Sequence, residues 1–472
     1  MSGLFGDLLN ASKSLAVQGY GLQITAKNIA NVENPNYARQ SLIIGDRGTV
    51  KTPLGMQGMG AEALGIAQAR DRYLDIQVLR ELSKGNYLNV QVGYFQKAEA
   101  YLGEEVSNAD LSADLSDPAN STTGLSSALN NFFNAAEALA ADPTDAGARQ
   151  MLFLQAEFLV DKINSTDARL ATLQADITNE VSFNVNVVND LLKEIAALNA
   201  EIQKTEISGY GTAVDSRDQR QGKLEELAKY LDFTVTEIPG SFGQIEITVL
   251  SATSTPVTLV SKGTASSISF DGTNFSGGTP PVTLGLQSGS LKGAIDARDN
   301  VIANLRTTVQ SVASQLIAAV NDAYNPGGTS TNFFQAGPPG LIQLDPTLSP
   351  NNIRTSNTGH AGANEIILAV ADVANKRFSV AGGDVIDGTI SEFYAQQVAG
   401  FALTKQSTES RAEDQEIVTD LVKTMRNSVS GVSMDEELAN LMIYQRGYQA
   451  NARLINVIDS LLDVVINGMG VH

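Results

Sequence analysis

The chain has 472 residues, 43% hydrophobic and 18% charged, with a net charge of −20, no cysteine, no tryptophan and two histidines. That balance excludes a dominant basic surface for nucleic acid or anionic membrane, and it excludes disulfides, thiolate metal sites and cysteine nucleophiles. The opening MSGLFGDLLNASKSLAVQ lacks a basic region, a continuous apolar core and a small-residue exit, so no cleaved signal peptide is expected. No apolar run approaches the ~18–20 residues of a membrane span.

Residues 4–32 predict an amphipathic helix, because Leu8, Leu15, Leu22 and Ile29 recur every seven positions, the spacing of a coiled-coil seam. The helix stops in NIANVENPNYARQ, residues 28–40. There Pro35 restricts Asn34 to extended backbone and suits the second position of a β-turn. Asn36 follows where a positive φ is expected, and the turn redirects Tyr37, Arg39 and Gln40. Helices are predicted over 86–106, 125–140, 146–207 and 217–231. Residues 232–286, rich in Val, Ile, Thr and Phe between Gly and Pro turns, predict a compact antiparallel β-domain.

Helix resumes over 288–324, a Pro/Gly/Asn-rich loop covers 325–364, and helices follow at 365–376 and 391–428. The last helix opens at SMDE, with Ser433 as its cap and Glu436 expected to reach back as a capping box. Asn467 and Gly468 are expected to close it. Along it Leu441, Tyr448, Ile455 and Leu462 recur every seven, and so do Tyr444, Asn451, Ile458 and Val465. Asn451 is a polar residue on that seam, where it would fix register.

The expected fold is therefore mainly α with an inserted β domain, an α+β multidomain chain. Its N- and C-terminal helices would pair as a coiled-coil-like stalk. Residues 1–35 with 433–472 would form an inner terminal domain. Residues 36–231 with 287–432 would form a helical stem that includes the loop-rich segment 325–364, and 232–286 the β-rich outer domain.

Catalytic constellations are missing from the sequence. His360 lies in a Gly-rich loop and His472 is the last residue, neither with ligand spacing to a second donor. GMGAEA (58–63) matches a dinucleotide fingerprint but sits in a predicted loop, without the strand before it and helix after it that such a site requires. The acidic MDEEL (434–438) is explained by a helix N-terminus. The sequons at Asn120, Asn164 and Asn274 are short enough to arise by chance. No catalytic, cofactor-binding or metal-ligating residue is assigned, and no enzyme activity is expected.

Both ends of the chain carry a resemblance. A heptad helix ending in ANxxxPxYxRQ resembles the bacterial flagellar rod, hook and hook-associated proteins, whose first helix ends in A-N-x-x-T-P-G-Y. Ala30, Asn31, Pro35 and Tyr37 match; Glu33-Asn34 and Asn36 depart. YARQ, RDRYLDIQVLR (70–80) and the C-terminal SGVSMDEEL and YQANARLI narrow the resemblance to the hook-associated branch.

The resemblance implies a structural subunit of the hook–filament junction, adapting hook to filament. It also implies export by the flagellar type III apparatus to the outside of the cell. The implied partners are further copies in a tubular homo-oligomer, the hook protein, the second hook-associated protein FlgL and an export chaperone, FlgN, at the C-terminal helix; nucleic acid and membrane insertion are not implied. Subunit assembly would rest on Leu8, Leu15, Leu22, Ile29, Asn31, Pro35, Tyr37, Arg39 and Gln40 at one end. At the other it would rest on Leu441, Tyr444, Tyr448, Asn451, Ile455, Ile458 and Leu462. The alternatives are another axial protein, a hook or distal-rod subunit, and a secreted coiled-coil adhesin or effector, which would lack matched signatures at both ends.

Overall fold

The computed structural model describes residues 2–465 apart from 47, 53–54, 104–123, 209–210, 329, 338–339, 359 and 361. Asn120, Asn467, Gly468 and His472 lie outside the described residues. The chain begins with helix α1 (Ser2–Ala30), then strands β1 (Gln40–Asp46), β2 (Thr49–Thr52), β3 (Gly55–Gly58) and β4 (Ala61–Gln68). Helices α2 (Arg72–Leu102), α3 (Leu125–Ala141), α4 (Ala146–Glu206) and α5 (Val214–Ala228) follow. Seven short strands come next: β5 (Thr234–Glu237), β6 (Ile245–Leu250), β7 (Pro256–Ser261), β8 (Thr264–Ala265), β9 (Ile268–Phe270), β10 (Phe275–Gly277) and β11 (Val282–Thr283). Then α6 (Ser290–Asp296) leads through a π-helical turn into α7 (Ala303–Tyr324) and the hairpin β12 (Phe334–Ala336) and β13 (Ile342–Leu344). The chain ends with α8 (Glu365–Asp372), α9 (Ile390–Ser430) and α10 (Met434–Asp463).

Two compact units divide the chain. The first comprises residues 1–86, 184–289 and 415–472; the second comprises 87–183 and 290–414.

In the first unit, β1 pairs antiparallel with β4, with a bulge at Ile43/Ile44, and β2 with β3 as a hairpin. These strands correct the expected loop at 58–63: GMGAEA runs from the end of β3 into β4, and a strand, not a helix, follows its glycines. The β-rich segment forms a four-stranded sheet, β5-β6-β7-β8, and a three-stranded one, β9-β10-β11. Ile245, Ile247 and Val249 alternate inward along β6, the period-2 pattern of a half-buried strand. Two buried or half-buried asparagines of α4 fasten these sheets. The Asn199 amide donates to the Ile245 carbonyl at 2.9 Å, and the Asn189 amide binds both the carbonyl (2.8 Å) and the N–H (2.7 Å) of Ile268.

The second unit buries an aromatic cluster from α3, α7 and β12. Phe132, Phe333 and Phe334 are fully buried and meet edge-on or tilted, with Phe333 and Phe334 centroids 4.9 Å apart. Asn164 and Asn321 repeat the clip. Asn164 bonds the Ile342 carbonyl (2.7 Å) and the Leu341 N–H (2.7 Å), while Asn321 bonds the Phe334 carbonyl (2.7 Å) and N–H (3.0 Å). The Asn164 sequon is thus accounted for by packing. The continuous helix expected over 288–324 is instead interrupted by the π-turn Ala297–Ile302, where Arg298 donates to Thr178 Oγ1 at 2.9 Å.

Gly289 tests the packing of the first unit. Its φ is +89°, its N–H donates to the Ser83 carbonyl at 3.0 Å, and a Cβ there would come within 2.6 Å of the Leu231 Cα. Gly289→Ala is expected to lower stability by more than about 2 kcal/mol in urea denaturation, from left-handed strain plus a backbone clash. Gly400→Ala, exposed mid-helix with nothing within 4 Å, is expected to raise it by about 0.5–1 kcal/mol.

Candidate functional site

The terminal helices α1 and α10 pack against each other and run antiparallel. Asn28 meets Glu437, Gly21 meets Tyr444 and Gln18 meets Gly447, so equal steps down α1 and up α10 keep partners opposite. On α10 the expected rows do face α1: Ile458 and Leu462 are buried, and Leu441, Tyr444, Asn451 and Ile455 are half-buried, while Tyr448 stays exposed. On α1 the seam is displaced by one position. The buried residues are Ala11, Val17, Gly21, Ile24, Thr25 and Asn28, among which Val17, Gly21, Ile24 and Asn28 are spaced 4-3-4, and Leu8, Leu15, Leu22 and Ile29 lie half-buried on the flank. The cause is Gly21: a Cβ there would sit 2.5 Å from the Tyr444 ring, so the missing side chain admits a tyrosine and draws the contact toward its own face.

Asn28 closes this seam and is 1% exposed. Its amide nitrogen donates to the Gln40 carbonyl (2.8 Å) and to Glu437 Oε2 (3.0 Å). Its oxygen accepts from the Tyr37 hydroxyl (2.7 Å) and the Gln40 N–H (3.0 Å). Every hydrogen-bonding capacity of the side chain that points inward is used. Glu437, only 2% exposed, completes its shell with Arg39 Nε at 2.8 Å, and Arg39 also reaches Glu436 at 2.7 Å. Burial, then Asp218, Asp215 and Glu437, hold the Tyr37 phenol well above its ordinary pKa, so it stays a donor.

Two more arginines grip the same segment. Arg70 binds Asp218 (2.7 Å), Asp75 (3.0 Å) and the Asn36 carbonyl (3.1 Å); Arg426 binds Glu225 and the Pro35 carbonyl (3.3 Å). Burial raises the pKa of Asp218 although Arg70 and Gln68 oppose the shift. Gln40 reaches Asp215 at 3.3 Å, and Lys27 pairs with the same carboxylate. Asn31 stays apart from this cluster, its amide capping α1 on the Lys27 carbonyl at 2.9 Å.

Several sequence expectations change here. Asn36 keeps a negative φ, since the described non-glycine residues with positive φ are Phe242, Ser254 and Lys262. Tyr37 N–H closes the turn on the Asn34 carbonyl and Asn36 N–H bonds Asn34 Oδ1, both at 3.1 Å, a geometry with no need for glycine. Ser433 is the N-cap residue of α10 but makes no side-chain cap bond, and Glu436 turns to Arg39 instead of closing a box. Asn451 donates to Gly447 within its own helix, at 3.0 Å, and not across the seam. Glu437, explained from sequence by the helix N-terminus alone, is a buried ion-pair partner. Asn28, Arg70, Asp218 and Arg426 were not foreseen as members of the site; the one available signal was that Asn28 stands a heptad after Gly21.

The arrangement holds segments together. An open cleft of about 700 Å³ beside the turn is lined by polar residues such as Asn34, Asn36 and Lys223 and by the apolar Ala197 and Leu198. Among the described residues no group of His, Cys, Asp and Glu side chains is placed to hold a metal ion, and no described helix is long and apolar enough to cross a membrane.

Known proteins resemble the chain along its length. Residues 117–337 match the family model described as the flagellar hook-associated protein FlgK helical domain, and 426–468 the model for the flagellar basal body rod FlgEFG protein C-terminal. Flagellar hook-associated protein 1 of Bacillus subtilis (strain 168) is 24% identical over 100% of this chain and 99% of the relative. Those of Salmonella typhimurium (strain LT2) and Escherichia coli (strain K12) are 22% and 21% identical, over 98% and 97% of this chain and 99% and 98% of theirs. The solved flagellar hook junction protein FlgK from Burkholderia pseudomallei aligns at 18% identity over 56% of this chain, with a TM-score of 0.46; the match spans 47% of that chain.

The energetic weight of Asn28 is measurable. Asn28→Ala leaves one oxygen of the buried Glu437 carboxylate and both backbone groups of Gln40 without this partner, and is expected to cost about 3 kcal/mol or more. Tyr37→Phe removes one neutral bond and is expected to cost about 1 kcal/mol. Both act through Asn28, so in urea denaturation the double variant is expected to lose less than the sum.

Proposed function

The chain belongs to the flagellar hook-associated proteins, and on that premise we propose a non-catalytic subunit that joins hook to filament through its paired terminal helices. The observation that carries this reading is a second apolar row on α10. Leu454, Val457, Leu461 and Val464, spaced 3-4-3, stand beside the row that faces α1, and each is about half exposed or more. Exposed apolar faces of this extent mark an interface. With α1 covering one row, the second is free for neighbouring subunits, and Phe5, Leu9 and Tyr20 continue the exposed apolar surface on α1.

The C-terminal resemblance is shared with rod proteins and does not by itself separate junction from rod. The helical-domain resemblance over 117–337 favours the junction. In this reading the neighbours are further copies, the hook protein and FlgL. Export proceeds through the flagellar type III apparatus, with FlgN covering the exposed row of α10 beforehand.

A strain lacking the gene is expected to build hooks without attached filaments, seen by electron microscopy, and wild-type protein to restore them. Leu454→Asp with Leu461→Asp is expected to leave the monomer's stability within about 0.5 kcal/mol, as exposed substitutions do, yet to fail in restoring filaments. Full swimming by that variant would remove this row from the interface.

A further inference from the structure

We infer that Glu437, acting through Asn28 and Arg39, selects the register in which α10 packs on α1. A seven-residue repeat is ambiguous by construction. Sliding α10 by one heptad brings Asn451 opposite Gly21 and Tyr444 opposite Asn28, or in the other direction Glu437 opposite Gly21, and the rows still face each other. Apolar contact alone therefore discriminates poorly among these alignments. The polar groups discriminate strongly. In the observed register the buried Glu437 carboxylate meets Asn28 at 3.0 Å and Arg39 at 2.8 Å.

One slip carries Glu437 beyond the end of α1 and leaves one N–H of the Asn28 amide without its acceptor. The opposite slip sets the carboxylate beside Val17 and Ile24 with no cation. Both leave a buried donor or charge unpaired, while the correct alignment leaves neither. Asn451 does not perform this task, because its amide is committed to its own helix. A rival device exists in the fit of Tyr444 over Gly21, and the test must separate the two.

The absence of native cysteine makes the register directly readable. In the full chain, Gln18→Cys with Gly447→Cys reports the observed alignment, since a Cβ at 447 would lie 2.7 Å from the Gln18 side chain. Gln18→Cys with Leu454→Cys, and Gln18→Cys with Asn440→Cys, report the two slips. With Glu437 intact, oxidation is expected to close the first pair alone. In a Glu437→Leu background the slipped pairs are expected to gain roughly tenfold in yield, the population change of a lost charged hydrogen bond, and the first pair to fall. Glu437→Gln keeps one acceptor oxygen, for Asn28 or for Arg39 but not for both, and is expected to gain the slipped pairs less than Glu437→Leu does. Asn28→Leu with Glu437→Leu, which removes both members of this pair from the seam, is expected to slip as Glu437→Leu does.

If both leucine variants close the first pair at the original yield, the Tyr444–Gly21 fit sets the register and the inference fails. If neither variant closes any pair, Glu437 holds α10 down without choosing its position, and the inference fails in that way.

Discussion

An asparagine side chain presents a donor and an acceptor in the same geometry as a peptide group, and this chain uses that equivalence to attach strands to helices. Asn28, Asn164, Asn189, Asn199 and Asn321 each stand on a helix and offer an amide to strand backbone. A strand that abuts a helix would otherwise bury an unpaired N–H and C=O, at a cost comparable to a lost hydrogen bond for each. The clip removes that penalty without another strand. Short sheets can then end against α4 and α7, and the first strand can begin where α1 stops.

The turn at 31–40 depends on the same device and adds charge to it. The chain has 32 basic residues against 52 acidic ones, so cations are scarce. Three of them, Arg39, Arg70 and Arg426, hold this one segment, each through a carboxylate and two of them also through a backbone carbonyl of Pro35 or Asn36. Buried ion pairs contribute little net stability over an apolar packing, but they fail sharply when one partner is missing. Such a cluster defines one arrangement of α1, the turn and α10 more than it strengthens that arrangement.

Much of this organisation was legible in the sequence. The long helices, the β-rich segment and the two heptad termini follow from periodicity, and their identities as elements depend on many residues at once. Details that depend on one residue's size or pairing were not legible. Leu8, Leu15, Leu22 and Ile29 suggested the seam of α1 because hydrophobicity ranks leucine above glycine, yet close approach at Gly21 decides the contact. Strands β3 and β4 were hidden by Gly- and Ala-rich alternation with little apolar contrast. Glu437 looked like a residue of any helix start, since nothing local says that a partner nine residues beyond the stop of α1, together with Asn28, will enclose it. Asn36 stands where the flagellar pattern has glycine, whereas the turn formed here keeps a negative φ and needs none.

The asparagine clips also bear on chemical ageing. Asparagine deamidates when its side-chain carbonyl is attacked by the next backbone nitrogen, and the product carboxylate cannot donate a hydrogen bond. In each clip the helix commits that nitrogen to its own bond, and the strand commits the amide, so the attack geometry is denied at the positions where the damage would be worst. At Asn28 an aspartate would face both the Gln40 carbonyl and the Glu437 carboxylate, setting like charges against each other inside the seam. The five clip amides, whose loss would open the seam and detach the sheets, thus stand in helical backbone that disfavours the attack.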